Sequence, residues 1–542
     1  MTQPLMLRDK QIEQLAFYIA HPKCLDLSDP GTGKTPPCCL YAYYMWDRGQ
    51  RRTLWSMPKS LLKKNKKELH RFTEFKDEDV VIMRTDRANL TKNWTGATID
   101  ATRRVATWRL KDGRQTHEID AGGRKLYYFD ASNTAIVLRT GKAVPMPASK
   151  DDWYPVDPLF GPDGKTPVKE WVDVPETFKD LIVEEAKKAK VFICTFAFMS
   201  AHWKRLLQAA PDIDLLLVDE LHMGYGGPES AQTKSFYWVN RHVSRFVGMT
   251  GTLINGRLDS AYPAISVIEP RYYGSLQGFM YEHAAVVDDY GRVVVWKNES
   301  KLKQIIEKHS IRRTFEEVYG KEDVVFFTET VEMEDKVQEQ YDQFVQQALL
   351  ELEDGRVLDG SMPGVNAIRC RQLMSHPETM LTGIGNWTPK DERLQVHLSN
   401  GKKALLFASL KPEQERLLRL AQDMGLRAAL INSDVSGPAR ARIDEMAQAG
   451  ELDVIVASGP TVAVGFNWEM FDLVAFVSID YQDVNILQAY RRASRGTRTR
   501  TLYVLFLRYE SRVEDRMYDI VKAKSQLANR VDPTRPVLDF SS

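Results

Sequence analysis

Gly31-Thr32-Gly33-Lys34-Thr35 and the later stretch Leu215-Leu216-Leu217-Val218-Asp219-Glu220-Leu221-His222 decide the fold between them. The first is a loop rich in glycine that opens a helix. Its backbone N–H groups can surround a β-phosphate, Lys34 can reach the β and γ oxygens, and the Thr35 hydroxyl can ligate Mg²⁺. The second is an apolar run ending in two carboxylates, as a strand buried between helices would. Asp219 at its carboxyl end can hold the metal, and Glu220 beside it can orient an attacking water. Ser28 stands where the full phosphate-loop pattern has its first glycine, and Pro36 and Pro37 fall in the first helical turn, where N–H groups lack intrahelical partners.

Working outward, the chain from Leu7 to Asp219 alternates strands with helices, the pattern of a mainly parallel sheet. Arg52–Met57, Val191–Phe196 and Phe246–Thr250 read as further strands, so Ser60, Thr195, Asp219 and Thr250 fall at strand carboxyl ends, where such sheets carry function. Between about 84 and 186 turn signals recur at Asp112-Gly113, Gly122-Gly123, Ser132-Asn133 and Thr140-Gly141, which predicts an antiparallel meander. Residues 101–146 carry nine Lys/Arg against four Asp/Glu, interleaved with Trp108, Tyr127, Tyr128 and Phe129. That composition suits either a small self-contained core or an auxiliary nucleic-acid surface. From Thr252 to Gln372 the pattern is largely helical, broken by a hairpin at Asp289-Tyr290-Gly291. A second alternating region runs through Lys403–Phe407, Ala429–Ile431, Val454–Ala457, Leu473–Val477 and Leu502–Phe506 without a phosphate loop. Its distinguishing element is Gln488–Arg495, where Arg492 and Arg495, three apart on a helix, would point together across a cleft at a triphosphate.

The 542 residues exceed one ordinary core, and 43% hydrophobic with 27% charged residues marks a globular chain. No apolar run approaches the about 18 residues of a membrane span. Met1–Lys10 lacks a basic segment followed by an apolar core, so no secretion signal is expected. Five cysteines without metal-ligand spacing fit free thiols in a reducing compartment. With a net charge of +1, any surface for a polyanion must be local, and Lys63–Lys67 and the arginines at 491, 492, 495, 498 and 500 are its candidates.

In this order the motifs resemble helicase superfamily two, and within it the Swi/Snf-type DNA translocases. Leu7–Gln11 looks like the glutamine motif, Ser28–Thr35 motif I, Met57–Leu62 motif Ia, Asp219–His222 the DEAH box, Thr250–Asn255 motif III, Val464–Asn467 motif V and Gln488–Arg495 motif VI. Arg312-Arg313, Arg371–Pro377 and the closing helix near Val513–Met517 favour the Swi/Snf branch. The chain departs from the family's pattern at Leu221, Leu253 and the shortened Arg491-Arg492-Ala493-Ser494-Arg495-Gly496-Thr497.

The resemblance implies an α/β fold of two RecA-like parallel-sheet lobes in tandem. Lobe 1 is expected at 1–320, with a β-rich insertion at about 84–186 and a helical protrusion at about 256–320; lobe 2 at 321–542 carries a helical protrusion at about 321–400. It implies a nucleic-acid-dependent ATPase using ATP and Mg²⁺. Gln11, Ser28, Asp29, Pro30, Gly31, Thr32, Gly33, Lys34, Thr35 and Gly465 would bind nucleotide, Thr35 and Asp219 the metal, and Lys34, Asp219, Glu220, Arg492 and Arg495 would act in catalysis. Pro58, Lys59, Ser60, Thr195 and Ser458 would touch the phosphate backbone, and His222, Thr250, Thr252 and Gln488 would couple that groove to the ATP site. The expected partner is duplex DNA, with RNA as an alternative, for a compact monomeric bacterial or phage protein of the cytoplasm. The alternatives are a strand-separating DNA or RNA helicase and a regulatory nucleic-acid-binding protein with weak ATPase.

Overall fold

The computed structural model describes residues 7–83, 186, 188–320, 323–347, 363–462, 466–494 and 498–540, and the strands alone within 94–173 and 349–359. Strands β1 (Lys23–Asp26), β2 (Arg52–Met57) and β3 (Val80–Ile82) open the first sheet. A meander follows, β4 to β10 (Trp94–Asp100, Val105–Leu110, Gln115–Ala121, Arg124–Phe129, Thr134–Val137, Ala143–Pro145 and Val172–Asp173). Its pairs are antiparallel, and its strands end on either side of the turn dipeptides read from the sequence. The chain returns through β11 (Val191–Thr195), β12 (Ile213–Val218) and β13 (Arg245–Met249), makes the hairpin β14 (Ala284–Val287) to β15 (Val293–Trp296), and adds β16 (Ser310–Ile311).

The first sheet has the order β16-β1-β13-β12-β2-β11-β3, and every pair in it is parallel. Parallel strands are joined by helices that cover both faces, which explains the unbroken apolar run in β12. Leu215 and Leu217 pack on one face with Tyr41 and Met45, and Leu216 and Val218 on the other with Phe236 and Phe246. All four are fully buried, and each such side chain stabilises the sheet by about 1.5–3 kcal/mol. The register aligns the strand ends: Asp26 lies opposite Met249, Val218 opposite both Ser56 and Gly248, and Thr195 opposite Met57. The phosphate loop, Pro58–Ser60, Thr195, Asp219 and Thr250 therefore leave the sheet on one edge.

The second sheet begins with β17 (Val324–Val331), followed by the ribbon β18 (Leu349–Glu351) and β19 (Val357–Asp359), and then β20 (Ala404–Phe407), β21 (Ala428–Ile431), β22 (Val454–Ala457), β23 (Leu473–Phe476) and β24 (Leu502–Tyr509). Its order is β17-β24-β23-β20-β22-β21, again parallel throughout. β17 corrects the reading of 252–372 as helical apart from one hairpin. Its residues VVFFTETV are strongly β-forming, and pairing with β24 over eight residues recruits them into the sheet. β16 is a second departure, since it takes the end of the first lobe's protrusion back to the sheet edge beside β1.

The closing helix Arg512–Val531 joins the two cores. Met517, Tyr518 and Val521 pack in the second lobe, while Ala528 and Val531 pack in the first with Leu302 and Ile305. No helix among the described residues is long and apolar enough to cross a membrane.

Candidate functional site

The phosphate loop is shaped by what lies beneath it. Asp26, fully buried at the end of β1, accepts from Gln14 Nε2 at 2.9 Å and from the Ser28 N–H at 2.9 Å, and bonds the Tyr18 hydroxyl. Ser28, in the place of a glycine, has a use for its side chain: the hydroxyl oxygen accepts from Gln14 Nε2 at 3.1 Å and from the Arg313 N–H at 3.0 Å. Gly31 and Gly33 take φ of 88° and 93°, open to glycine without strain. Lys34 Nζ donates to the carbonyls of Ser28 at 2.6 Å and Asp29 at 3.1 Å, and Thr32 Oγ1 donates to the Asp29 carbonyl. The helix Thr35–Gly49 starts at once, with both prolines in its first turn. Gln11 reaches over the loop, donating to the Gly33 carbonyl at 3.1 Å and accepting from the Arg8 N–H.

Opposite the loop, Asp219 and Glu220 leave β12 into a tight turn. Glu220 has φ 50° and ψ 52°, a left-handed conformation that costs a residue with a Cβ about 1–2 kcal/mol. Asp219 accepts from Asn65 Nδ2 at 3.1 Å and from the Glu220 N–H at 3.1 Å. Burial, and then the charge of Glu220, push its carboxyl up to about 6. Burial also raises Glu220, against the pull of Lys34 and Arg492. His222 Nδ1 lies 2.8 Å from Thr250 Oγ1, which in turn bonds both the carbonyl and the N–H of Thr252. Burial, with Arg535 and Lys34 adding to it, holds His222 down to about 3, so its ring is neutral. His222 is thus hydrogen-bonded to motif III, and the same Nδ1 lies 3.6 Å from Oε2 of Glu220 in the carboxylate turn. Leu221, where the family has alanine, is buried in the core, and the missing Cβ of Gly248 gives it room.

Arg8, Gln11, Pro30, Gly31, Gly33, Lys34, Thr35, Asp219, Glu220 and, from the second lobe, Arg492 line one cleft of about 420 Å³. The Thr35 hydroxyl and the Asp219 carboxylate are hard oxygen donors, a set that suits Mg²⁺, and Lys34 is the cation on the loop facing them. Arg492 does not sit on the helix that its spacing from Arg495 predicts. The helix Asp483–Tyr490 ends before it, and N–H bonds three residues back, from Arg492 to Ala489 and from Ala493 to Tyr490, tighten the chain into a turn. Arg492 reaches the cleft from that turn and not from a helical face. Arg495 and Gly465 lie outside the described residues. Arg498 and Arg500 both bind Asp472, at 2.8 and 3.0 Å, away from the cleft.

The residues expected along a polyanion track divide. Lys59 and Ser60 are exposed at the end of β2, and Pro58 starts their turn. Thr195 Oγ1 caps its helix by accepting from the Phe198 N–H at 3.1 Å. Ser458 pairs with Thr461 and lines a separate cleft of about 360 Å³ at the strand ends of the second sheet, with Arg371, Lys411 and Asn432. Gln488 is buried.

Two participants escaped the sequence reading, and a third was read for another use. Asn65, 1% exposed, lies in the apolar stripe Leu62, Asn65, Leu69 and Phe72 of its helix, and a polar residue at a buried stripe position was the available signal. Tyr319 lines the cleft and donates to the Gly31 carbonyl at 3.0 Å. Arg491, expected from the sequence among the arginines of a polyanion surface, instead pairs with Asp29 at 3.1 Å across the lobes.

No family model matches the chain. It is 23% identical over 343 residues to the CHD3-type chromatin-remodeling factor CHR7 of Arabidopsis thaliana, a match covering 58% of this chain and 27% of that protein. It is also 23% identical over 353 residues to the chromodomain-helicase-DNA-binding protein 1-like of Danio rerio, covering 58% and 32%. The chain thus spans less than a third of the length of either relative. Among solved structures it is similar to the Sulfolobus solfataricus SWI2/SNF2 ATPase core in complex with dsDNA, at 15% identity, with 99% and 98% of the two chains covered and a TM-score of 0.36. In the order of its motifs, in their meeting at one end of the sheet and across the cleft, and in its two sequence relatives, this chain resembles the Swi/Snf-type members of helicase superfamily two.

Proposed function

We propose that this protein is a nucleic-acid-dependent ATPase that couples ATP hydrolysis to movement along duplex DNA. The observation that carries the reading is the shared cleft: Arg492 of the second lobe lines it with Lys34, Asp219 and Glu220 of the first. A site divided between two lobes is complete only when they close, so each turnover changes their relation, and a DNA strand gripped by both is moved.

In this reading Thr35 and Asp219 would hold Mg²⁺, which when bound would offset the negative charge of the triphosphate. Lys34 leaves the carbonyls of Ser28 and Asp29 for the β and γ oxygens. Glu220 takes a proton from the attacking water, and its raised pKa makes it a better base than an exposed carboxylate. Arg492 stabilises charge developing in the closed state, joined by Arg495. Gln11 and the loop Ser28–Thr35, with Gly465, form the nucleotide seat, and the neutral His222 passes changes at Glu220 to Thr250 and Thr252, with Gln488 on the facing lobe. Pro58, Lys59, Ser60, Thr195 and Ser458 contact phosphates, which gives position without sequence preference. The lobes divide near residue 320, and the protein acts as a monomer in the cytoplasm of a bacterium or an infected cell.

The test is steady-state phosphate release without nucleic acid and with single-stranded DNA, duplex DNA or RNA at one fixed salt concentration, joined to displacement of a third strand from a DNA triplex. Stimulation by duplex DNA with triplex displacement supports the reading. Stimulation with unwinding of a forked duplex instead makes the protein a helicase, and no stimulated turnover removes the ATPase.

A further inference from the structure

Motif VI carries Arg491 where the family has an aspartate, and the proposed function gives that exchange no role. In the structure Arg491 is 9% exposed, and its guanidinium lies 3.1 Å from Oδ2 of Asp29, itself 4% exposed. Asp29 belongs to the phosphate loop, two residues before Gly31. Its carboxylate is fully engaged: Oδ1 accepts from Arg312 at 3.1 Å, and Oδ2 accepts from the Phe315 N–H at 3.0 Å besides Arg491. Its backbone carbonyl receives Lys34 Nζ.

The pair belongs to a larger set. Arg312 also binds Asp532, beyond the closing helix, and Arg535 binds Asp483 of the second lobe while donating to the Ile254 carbonyl of motif III at 2.7 Å. Three arginines and three aspartates therefore stand at the lobe interface in charge balance. Among their links, Asp29 to Arg491 is the one that runs from the phosphate loop to the segment bearing Arg492.

We propose that Asp29 and Arg491 form an inter-lobe latch that positions Arg492 on the nucleotide cleft, Arg491 acting as a positioning residue for the reaction. Arg491 and Arg492 are consecutive in a turn held by short-range N–H bonds, so fixing Arg491 to the loop that carries Lys34 leaves Arg492 little freedom. A buried guanidinium and carboxylate also have few substitutes for one another, so the latch is made or lost as a unit when the lobes part. This deepens the proposed ATPase and rests on it.

The test is a double-mutant cycle on the full chain with Arg491→Gln, Asp29→Asn and both together, measuring kcat and KM for ATP with saturating duplex DNA. In parallel, the inter-lobe distance is read by energy transfer between dyes on exposed positions of the two lobes, without nucleotide. The latch predicts that Arg491→Gln lowers kcat at least roughly tenfold with KM nearly unchanged, that the double variant is no worse than the single ones, and that each variant lengthens the mean inter-lobe distance. Arg491→Lys, which keeps the charge, recovers part of both readouts. Additive losses, or an unchanged distance in Arg491→Gln, overturn the latch. If the wild-type protein hydrolyses no ATP, the functional reading fails, and the distance measurement still decides the latch.

Discussion

Replacing Asn65 by leucine removes the amide behind Asp219 while keeping the branched shape of the side chain. The Asn65 amide donates to Asp219 at 3.1 Å from a position 1% exposed, on a helix whose other inward residues are Leu62, Leu69 and Phe72. A hydrogen bond to a charged group contributes about 1.5–3 kcal/mol. At 1.36 kcal/mol per decade, its loss weakens the productive Mg²⁺·ATP complex by at most roughly 10- to 150-fold, because only the share of the bond that strengthens on binding counts. The sign with pH follows from Asp219, whose carboxyl burial and Glu220 already push up to about 6 and which the Asn65 bond pulls down. Without that bond the pKa rises, more of the protonated form is present near neutrality, and protons compete better with the cation. The expected outcome is a higher Mg²⁺ requirement in ATPase titrations, larger at about pH 6.5 than at about pH 8.5. Thermal unfolding without Mg²⁺ should show little loss, since leucine continues the apolar stripe. A wild-type Mg²⁺ requirement at both pH values, or a loss independent of pH that tracks a lowered Tm, would refute the reasoning.

Lys34→Ala should abolish hydrolysis while circular dichroism stays native, because among the described residues the hydrogen bonds of Lys34 Nζ go to the loop carbonyls of Ser28 and Asp29. Glu220→Gln should still bind Mg²⁺·ATP in equilibrium titrations, since Asp219 remains, yet turn over at least roughly a hundredfold more slowly; lost binding would mean that the two carboxylates are misassigned. Arg492→Ala should reduce kcat far more than ATP affinity, and normal turnover with weakened DNA retention would assign it to the DNA groove instead.

Much of the scaffold was legible because its signals are local. Apolar runs of four to eight residues in β11, β12, β13 and most of the second sheet, punctuated by helical patterns, mark buried parallel strands. The turn dipeptides of the meander and the glycine-bearing hairpin at Asp289-Tyr290-Gly291 are equally local signals. β17 was not legible, since an eight-residue segment at the end of a helical stretch becomes a strand through its pairing with β24. Periodicity also misled at Arg492, because the helix stops at Tyr490 under tertiary packing that a spacing of three does not record.

The sequence by itself determined the chemistry on each strand end: a glycine loop with Lys34 and Thr35, a carboxylate pair after an apolar strand, and arginines near the end of the second lobe. Parallel strands share a direction, so their carboxyl ends meet on one edge whatever the intervening chain does, and residue type at a strand end is enough to name the candidates. Only the tertiary structure decided which distant residues complete the site. Asn65 on Asp219, Tyr319 on Gly31, Arg491 on Asp29, and Arg312 between Asp29 and Asp532 are contacts between segments with no shared pattern. They exist because two covered sheets and one long helix bring buried polar groups within reach of each other, and a buried polar group takes the partner that packing leaves beside it.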